Sequence, residues 1–462
     1  MIKISEFKGK QVAVLGLGRS GLSAAIALAA GGAELCAWDD NPARRDAAEA
    51  DGIAIADLYA MDWTDVAALV VSPGIPATAS DPHQIVRQAR AFQCEILGDV
   101  ELFARRALPA NVVAITGTNG KSTTTALAGH VLRACGRRAV EGGNLGTAVL
   151  DLPELGPDDS YVLELSSFQI EQTKFLAPDI AVLLNLSPDH LDRHGDMVGY
   201  VAAKKRLFAG QTPEQLAVVG VDDGDSRAVF DELVAQDGRR VTPVSGNGPV
   251  ADGVFVVGGF LYDATAADAG VAVADLNSGR LVGPHNWQNA AAAFAIATEL
   301  GCDPELVVQA LMNFPGLSHR LELVGEACGV RFFNDSKATN MDAAGRALAS
   351  FPNIYWIAGG RPKDQGLEIL APLFGNIRHA FLIGEATESF ATTLDGYVPF
   401  SRSGDLSAAV ADAHTRAVGD GEEDAVVLLS PACASFDQFT DFQDRGDAFR
   451  AAATAIIGRD QS

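Results

Sequence analysis

The sequence predicts an α/β protein of three domains. Short apolar runs rich in valine, isoleucine and leucine alternate with helical stretches along most of the chain. Two of those runs end in glycine-rich turns, and 462 residues exceed what one hydrophobic core organises. At about 150 residues per domain the length suggests three.

The first domain, 1–108, opens with a strand from Gln11 to Leu15, followed by Gly16-Leu17-Gly18-Arg19-Ser20-Gly21 and a helix through about Ala30. A second strand, Glu34 to Trp38, ends in Asp39-Asp40. Glycines at this spacing, with an acid after the second strand, form the dinucleotide fingerprint, so the domain is Rossmann-like. The glycines by themselves require only a close helix–strand turn beside a diphosphate. A nicotinamide oxidoreductase rests on this loop alone. A further strand, Ala67 to Val71, runs into Ser72-Pro73-Gly74-Ile75-Pro76, Gly98-Asp99-Val100-Glu101-Leu102-Phe103 starts or precedes a helix, and the turn at Pro109 closes the domain.

The middle domain, 109–316, opens on Val112-Val113-Ala114-Ile115, a buried strand by composition, and then Thr116-Gly117-Thr118-Asn119-Gly120-Lys121-Ser122-Thr123. That turn, entering a helix of about Ser122 to Ala134, is a phosphate cradle. Backbone N–H groups freed by glycine face an anion at the positive end of a helix dipole, Lys121 reaches the terminal phosphates, and Ser122 or Thr123 ligates Mg²⁺. Only Thr118 and Asn119 separate Gly117 from Gly120, where the usual phosphate loop has four residues. Tyr161 to Gln169 reads as a buried strand in which Glu164 needs a positive partner, and Ile180 to Asn185 as another that delivers Asp189-His190 to its carboxyl end. In doubly wound sheets Gly117, Glu164 and His190 would converge there. A salt-bridged structural role is the alternative for Glu164, and core packing for His190. A helix carrying Lys204 follows, residues 211 to 283 read as β-rich, and His285 opens an alanine-rich helix. Asn286 and Asn289 read equally as helix caps or as ligand contacts. The whole is a central P-loop ATPase-type sheet, parallel or mixed, with helices on both faces.

The third domain, 317–462, follows a hinge at Phe314-Pro315-Gly316-Leu317-Ser318. Strands at Val330 to Phe333, Ile354 to Ala358, Ala380 to Ile383 and Ala425 to Leu429 alternate with helical segments, again Rossmann-like. Three strand ends carry polar clusters: Asn334 to Asn340, Gly359 to Lys363, and Ser430 to Phe436.

Composition narrows the function. Thirty-five basic against 59 acidic residues give a net charge of −24, which repels nucleic acid across most of the surface. Six scattered cysteines without a Cys-x-x-Cys pair point to reduced thiols and a cytoplasmic protein. No secretory signal is expected at the start, and no apolar run approaches the roughly 20 residues of a membrane helix.

Taken together the motifs resemble those of the Mur ligases, the ATP-dependent amino-acid-adding enzymes of peptidoglycan synthesis. The likeness covers nearly the whole chain, from Gly16 through Ser72-Pro73-Gly74, Gly98 to Phe103, Thr116 to Thr123, Gly143-Asn144-Leu145-Gly146, Leu163 to Gln169, Asp189-His190-Leu191-Asp192-Arg193, His285-Asn286, His319-Arg320 and Asn334 to Asn340 to Leu429 to Ser435. The short phosphate loop is that family's own form, and the last two motifs resemble the branch that adds D-glutamate.

The resemblance implies a first domain that binds the UDP of UDP-MurNAc-L-alanine, a middle domain for ATP and two Mg²⁺, and a third domain for D-glutamate. The γ-phosphoryl of ATP would activate the substrate carboxylate as an acyl phosphate. Lys121 and the loop residues Gly117, Thr118, Asn119, Gly120, Ser122 and Thr123 would hold phosphates, Ser122 and Glu164 one Mg²⁺, and His190 a second. Lys204 matches a lysine that takes up CO₂ as a carbamate and then serves as an anionic metal ligand; by residue type alone it reads as a surface lysine beside Lys205 and Arg206. Asn286, Asn289, His319, Arg320 and Asp335 would bind adenosine and phosphates, with Lys337 near the reacting phosphoryl. Gly18, Arg19, Ser20, Asp39, Asp40, Ser72, Pro73, Gly74, Asn144 and Ser166 would take the muramoyl nucleotide. Thr339 and Lys363 would hold one D-glutamate carboxylate, and Ser435, Phe436 and Phe442 the other. The enzyme is expected to be monomeric.

Two positions depart from the family pattern. Asp39-Asp40-Asn41 stands where relatives place a hydroxyl and a basic residue for the uridine nucleotide, and Lys363 follows Arg361-Pro362 rather than a small polar pair. A nucleotide-switch binding module, with slow ATP turnover indifferent to amino acids, is the remaining alternative; the lysine and threonine cluster of the third domain argues against it.

Overall fold

Three sheets organise the described residues, each built where the apolar runs fall. The computed structural model describes residues 1–78, 81–144, 146–265, 271–276, 281, 283–362 and 366–460. The chain divides into two units, one of Met1–Asn277 with Asn286–Asn313, the other of Ser278–His285 with Phe314–Ser462.

The first unit holds two sheets. Gln11–Leu15 (β1), Glu34–Trp38 (β2), Val66–Val71 (β3) and Glu95–Leu97 (β4) form an all-parallel sheet in the order β2-β1-β3-β4. The order reverses beside β1, so the turns after β1 and β3 open a crevice at their carboxyl ends. The larger sheet comprises Asn111–Thr116 (β5), Ala139–Gly143 (β6), Ser160–Glu164 (β7), Ile180–Leu183 (β8), Leu216–Gly220 (β9), Arg240–Ser245 (β10), Val254–Val257 (β11), Phe260–Asp263 (β12) and Val271–Asp275 (β13). Its order is β13-β12-β11-β10-β9-β8-β5-β7-β6; β12 pairs antiparallel with both β11 and β13, and the other pairings are parallel. β5 lies third from the β6 edge, with Ile115 paired to Glu164 on one side and Val182 on the other, so three strand ends meet at the phosphate loop.

The second unit contains Glu322–Ala327 (β14), Val330–Asn334 (β15), Ile354–Gly359 (β16), Ile377–Ile383 (β17), Phe400–Gly404 (β18) and Val426–Leu429 (β19). The order is β14-β15-β19-β16-β17-β18, parallel except for β14. β15, β19 and β16 are neighbours, which brings the ends of three polar-tipped strands together.

Several elements differ from the sequence reading. Ser167-Phe168-Gln169 is helix rather than strand, because Ser166 and Gln169 form a capping box that starts the helix Ser167–Glu171. The stretch read as β-rich contains the helix Gly224–Val234, started by Asp223, whose side chain accepts from Ser226 N. The unforeseen strands β14 and β18 are sheet edges with half-exposed, polar-interrupted sequences, so neither shows a continuous apolar run. Asn286 and Asn289 lie inside the helix Pro284–Glu299, which removes the capping reading.

Candidate functional site

The loop after β5 is shaped by backbone that side chains resist. Gly117 and Gly120 take φ of +149° and +82°, and a Cβ on Gly120 would lie 2.5 Å from Asn289 Oδ1. Asn185, at the end of the β8 run, supports the loop: its Oδ1 accepts from Asn119 N at 2.9 Å and its carbonyl from Thr118 N at 2.8 Å. Asn289 is buried behind it and accepts from Thr124 Oγ1 at 3.0 Å. Lys121, the first residue of the helix Lys121–Ala134, folds its Nζ onto the carbonyls of Gly117 (2.9 Å) and Thr118 (2.8 Å).

Beside the loop Ser122 Oγ donates to Glu164 Oε2 at 2.5 Å, and Asn144 Nδ2 donates to Oε1 at 2.9 Å. Glu164 is 3% exposed, and the partners that satisfy it by hydrogen bonding are neutral donors rather than the cation its burial led one to expect. Ser122, not Thr123, faces it. Two hard oxygen ligands at a helix N-terminus fit Mg²⁺, which takes one or two carboxylates and fills its octahedron with phosphate and water. Among the described residues no group of three His, Cys, Asp or Glu could cage a metal without such help.

Lys204 is 2% exposed, so the surface reading fails. Its Nζ donates to Gly117 O at 2.9 Å and Thr116 Oγ1 at 3.4 Å and lies 4.7 Å from the Tyr200 ring centre. Burial first, then repulsion from Lys121, holds its pKa well below the ordinary lysine value, against the pull of Asp189 and Glu164. His190 sits at a left-handed turn (φ +53°), half-exposed, its ring 4.8 Å from that of Phe168.

A second recess, of about 530 Å³, lies over the smaller sheet of the same unit, lined by Gly18, Arg19, Ser20, Asp39, Asp40, Ser72, Pro73, Gly74 and Asn144 among others. The helix Arg19–Gly31 begins there with no side-chain cap, leaving its first N–H groups for an anion. Asp39 is buried and bonded to Leu17 N (2.7 Å) and Asn41 N (2.8 Å), so it shapes the turn. Asp40 instead meets His83, Tyr59 and Trp38, and those hydrogen bonds outweigh burial to lower its pKa. Arg19 reaches Asn144 O at 2.5 Å. Ser166 caps its helix.

In the second unit the tips of β15 and β19 carry the remaining candidates. Asp335 accepts from Ser430 Oγ at 2.9 Å and Leu321 N at 3.2 Å, and burial pushes its pKa up to about 7. His319 (φ +63°) meets Asn334 Nδ2 at 3.1 Å, and burial lowers its pKa. Arg320 acts electrostatically on Asp335. Lys337 Nζ lies 4.0 Å from the Phe442 ring centre. Thr339 N donates to Lys337 O at 2.8 Å; Ser435 is buried and Phe436 63% exposed. Lys363 lies outside the described residues. Asn185 escaped sequence reading. A lone amide ending an apolar run was the signal for Asn185.

Comparison with known proteins gives two family matches: the Mur ligase middle domain over residues 115–297 and the Mur ligase glutamate ligase domain over 319–433. The chain is 52% identical to UDP-N-acetylmuramoylalanine–D-glutamate ligase of Caulobacter sp. (strain K31), covering 99% of this chain and 98% of that protein. It is 51% identical to the enzyme of the same name from Paramagnetospirillum magneticum, covering 99% of both. Among solved structures it shares its fold with MurF ligase from Thermotoga maritima in complex with ADP (TM-score 0.57, 18% identity, 85% and 90% covered). UDP-N-acetylmuramate–alanine ligase MurC from the same organism gives 0.56 at 19% identity, with 96% and 99% covered.

Proposed function

The chain belongs to the Mur ligase family, and on that footing we propose that it joins D-glutamate to UDP-N-acetylmuramoyl-L-alanine with cleavage of ATP, a ligation of peptidoglycan precursor synthesis. A carboxylate is a poor electrophile without a leaving group. Transfer of the γ-phosphoryl of ATP to the alanyl carboxylate, with release of ADP, supplies one as an acyl phosphate. The D-glutamate amine attacks the acyl carbon, and the tetrahedral intermediate collapses to the amide and phosphate.

The observation that carries the reading is the buried set Ser122, Glu164 and Lys204 around a glycine-shaped loop at the carboxyl end of β5. Lys121 and the loop amides stabilise charge developing on the phosphates. Ser122 and Glu164 would hold Mg²⁺, with His190 at a second site; bound there, the ion neutralises phosphate charge. Lys204 is buried, and its depressed pKa makes the neutral amine, the form that adds to CO₂ with loss of an N–H proton, more accessible than in an ordinary lysine. The carbamate would turn its repulsion from Lys121 into attraction, and ¹³C NMR with labelled bicarbonate tests for it. The uncapped helix start at Gly18 to Ser20 suits the diphosphate of the nucleotide, with Asp40 accepting from uracil N–H or a sugar hydroxyl. Thr339, Lys363, Ser435 and the Phe442 backbone are assigned to D-glutamate.

We further read the chain as three domains, 1–108, 109–316 and 317–462, working as a cytoplasmic monomer; its six scattered cysteines suit a reducing compartment. No helix among the described residues is long and apolar enough to cross a membrane. ADP release measured with UDP-MurNAc-L-alanine and D-glutamate, L-glutamate, L-lysine or meso-diaminopimelate tests the function. Turnover should require D-glutamate, and equal turnover with L-glutamate rejects the assignment.

A further inference from the structure

Arg445 lies on the helix Phe442–Asp460 of the second unit, 1% exposed, and has no role in the sites above. Its Nε donates to Ser336 Oγ at 3.0 Å, Nη2 to Ser336 O at 2.9 Å and Cys433 O at 3.1 Å, and Nη1 to Ala434 O at 3.4 Å. It therefore ties the loop after β15 to the loop after β19. The tip of β16 closes on the same group: a Cβ on Gly360 would lie 3.1 Å from Nη1 and 2.3 Å from Ala434 O.

Every one of these acceptors is neutral. Among the described residues no carboxylate stands within ion-pair distance of the guanidinium; the Cys433 thiol and, less strongly, Asp437 act on it electrostatically, and burial outweighs both. Burial accordingly brings its pKa down to about 10, where an ion pair would have raised it. Buried charges are ordinarily paired, because desolvating one alone is costly. A loop clamp by itself needs hydrogen bonds, not a charge. The cost is accounted for if the bound substrate brings the anion. Ser435 follows Ala434 directly, and Ser336 Oγ, which accepts from Arg445, itself donates to Phe442 O at 2.8 Å.

We propose that Arg445 is a positioning and specificity residue of the amino-acid subsite, its buried positive charge being the electrostatic complement of the glutamate carboxylate assigned to Ser435 and the Phe442 backbone. The inference rests on D-glutamate being the amino acid joined.

The test is steady-state kinetics of the full-length enzyme with each substrate varied in turn. In Arg445→Met the KM for D-glutamate should rise about tenfold to a hundredfold, while those for ATP and UDP-MurNAc-L-alanine stay within about twofold. Arg445→Lys, which keeps the charge and loses the fork, should return the D-glutamate KM to within about threefold of wild type. A purely structural clamp would instead move all three KM values together and lower the melting temperature of both variants. The proposal is overturned by an unchanged D-glutamate KM in the Met variant, by parallel rises in all three, or by a Lys variant as impaired as the Met one. Should the Met variant not fold, the Lys variant decides: a D-glutamate KM within threefold of wild type supports the charge, and a rise above tenfold rejects it. Absence of D-glutamate-dependent ADP release in the wild type would reject the underlying reading instead.

Discussion

Replacing Asp335 with asparagine should change how stability depends on pH, and the structure sets the size of the change. Asp335 is 8% exposed, and two hydrogen bonds offset too little of the desolvation, so its pKa stands at about 7 against about 3.9 in an unfolded chain. Between those values the folded chain holds a proton that the unfolded chain has lost. Wild-type stability therefore falls as pH rises from about 4 to 7, by about 4 kcal/mol in all, of which about 3 kcal/mol falls between pH 5 and 8. Asparagine has no such titration. It forfeits one hydrogen bond, a pH-independent offset of about 1 kcal/mol. Calorimetric melting of both proteins at pH 5, 6, 7 and 8 separates the two effects. For a chain of 462 residues melting as one, the melting temperature of Asp335→Asn minus that of wild type should climb by about 3 °C across the series. A difference that is flat with pH, or that falls, refutes the claim that burial raises the pKa of Asp335.

Three further outcomes are expected. Lys121→Ala should lower ADP formation by about 10³-fold or more with circular dichroism unchanged, since its Nζ stands at the mouth of the loop beside Gly117 O and Thr118 O. Lys204→Ala should lose about 10²-fold in turnover and recover part of it with added formate or acetate; no recovery in a titration of either would count against a carbamate. Gly21→Ala should cost about 3 kcal/mol or more and weaken binding of UDP-MurNAc-L-alanine by calorimetry, because the added Cβ would sit 1.8 Å from Gly16 O and 2.4 Å from Ser72 Oγ.

What could be seen in the sequence depended on whether a residue's neighbours are near in the chain. The loop after β5 was legible because its strand, glycines, lysine and helix are contiguous, and the strand from Gln11 to Leu15 for the same reason. Glu164 was legible as a costly buried acid, but its partners Ser122 and Asn144 are donors from other elements, and no local pattern announces a neutral solution. Lys204 was illegible by residue type, since Lys205 and Arg206 make its segment look solvated while the helix turns Lys204 alone inward. Asp39 and Asp40 are adjacent in sequence and opposite in fate, one bonded into the turn at Leu17, the other meeting His83. Period-two alternation at a strand end assigns them different faces and says nothing of what each face meets.

The charges show how an acidic protein keeps cations available for anionic substrates. Against 35 basic residues stand 59 acidic ones, and surface arginines are mostly absorbed: Arg105 by Glu95, Glu101 and Glu6, Arg240 by Glu299, Arg402 by Glu388. In these three, ion pairing pushes the arginine pKa up. Lys204 and Arg445 are shifted the other way, because burial desolvates them and carbonyl or hydroxyl oxygens, not bonded carboxylates, satisfy their N–H groups. A carbonyl accepts a hydrogen bond without cancelling a charge. The two solutions differ in what they leave behind: an ion pair leaves nothing for a ligand, whereas a carbonyl cradle leaves the cation's field intact in a region of low dielectric, where it acts most strongly on an incoming anion. A downward shift does not by itself mark a site, since burial lowers the pKa of Arg239 too while Phe208 O accepts from it; for Lys204 and Arg445 it is the position beside a strand-end loop that fits the charge to a ligand.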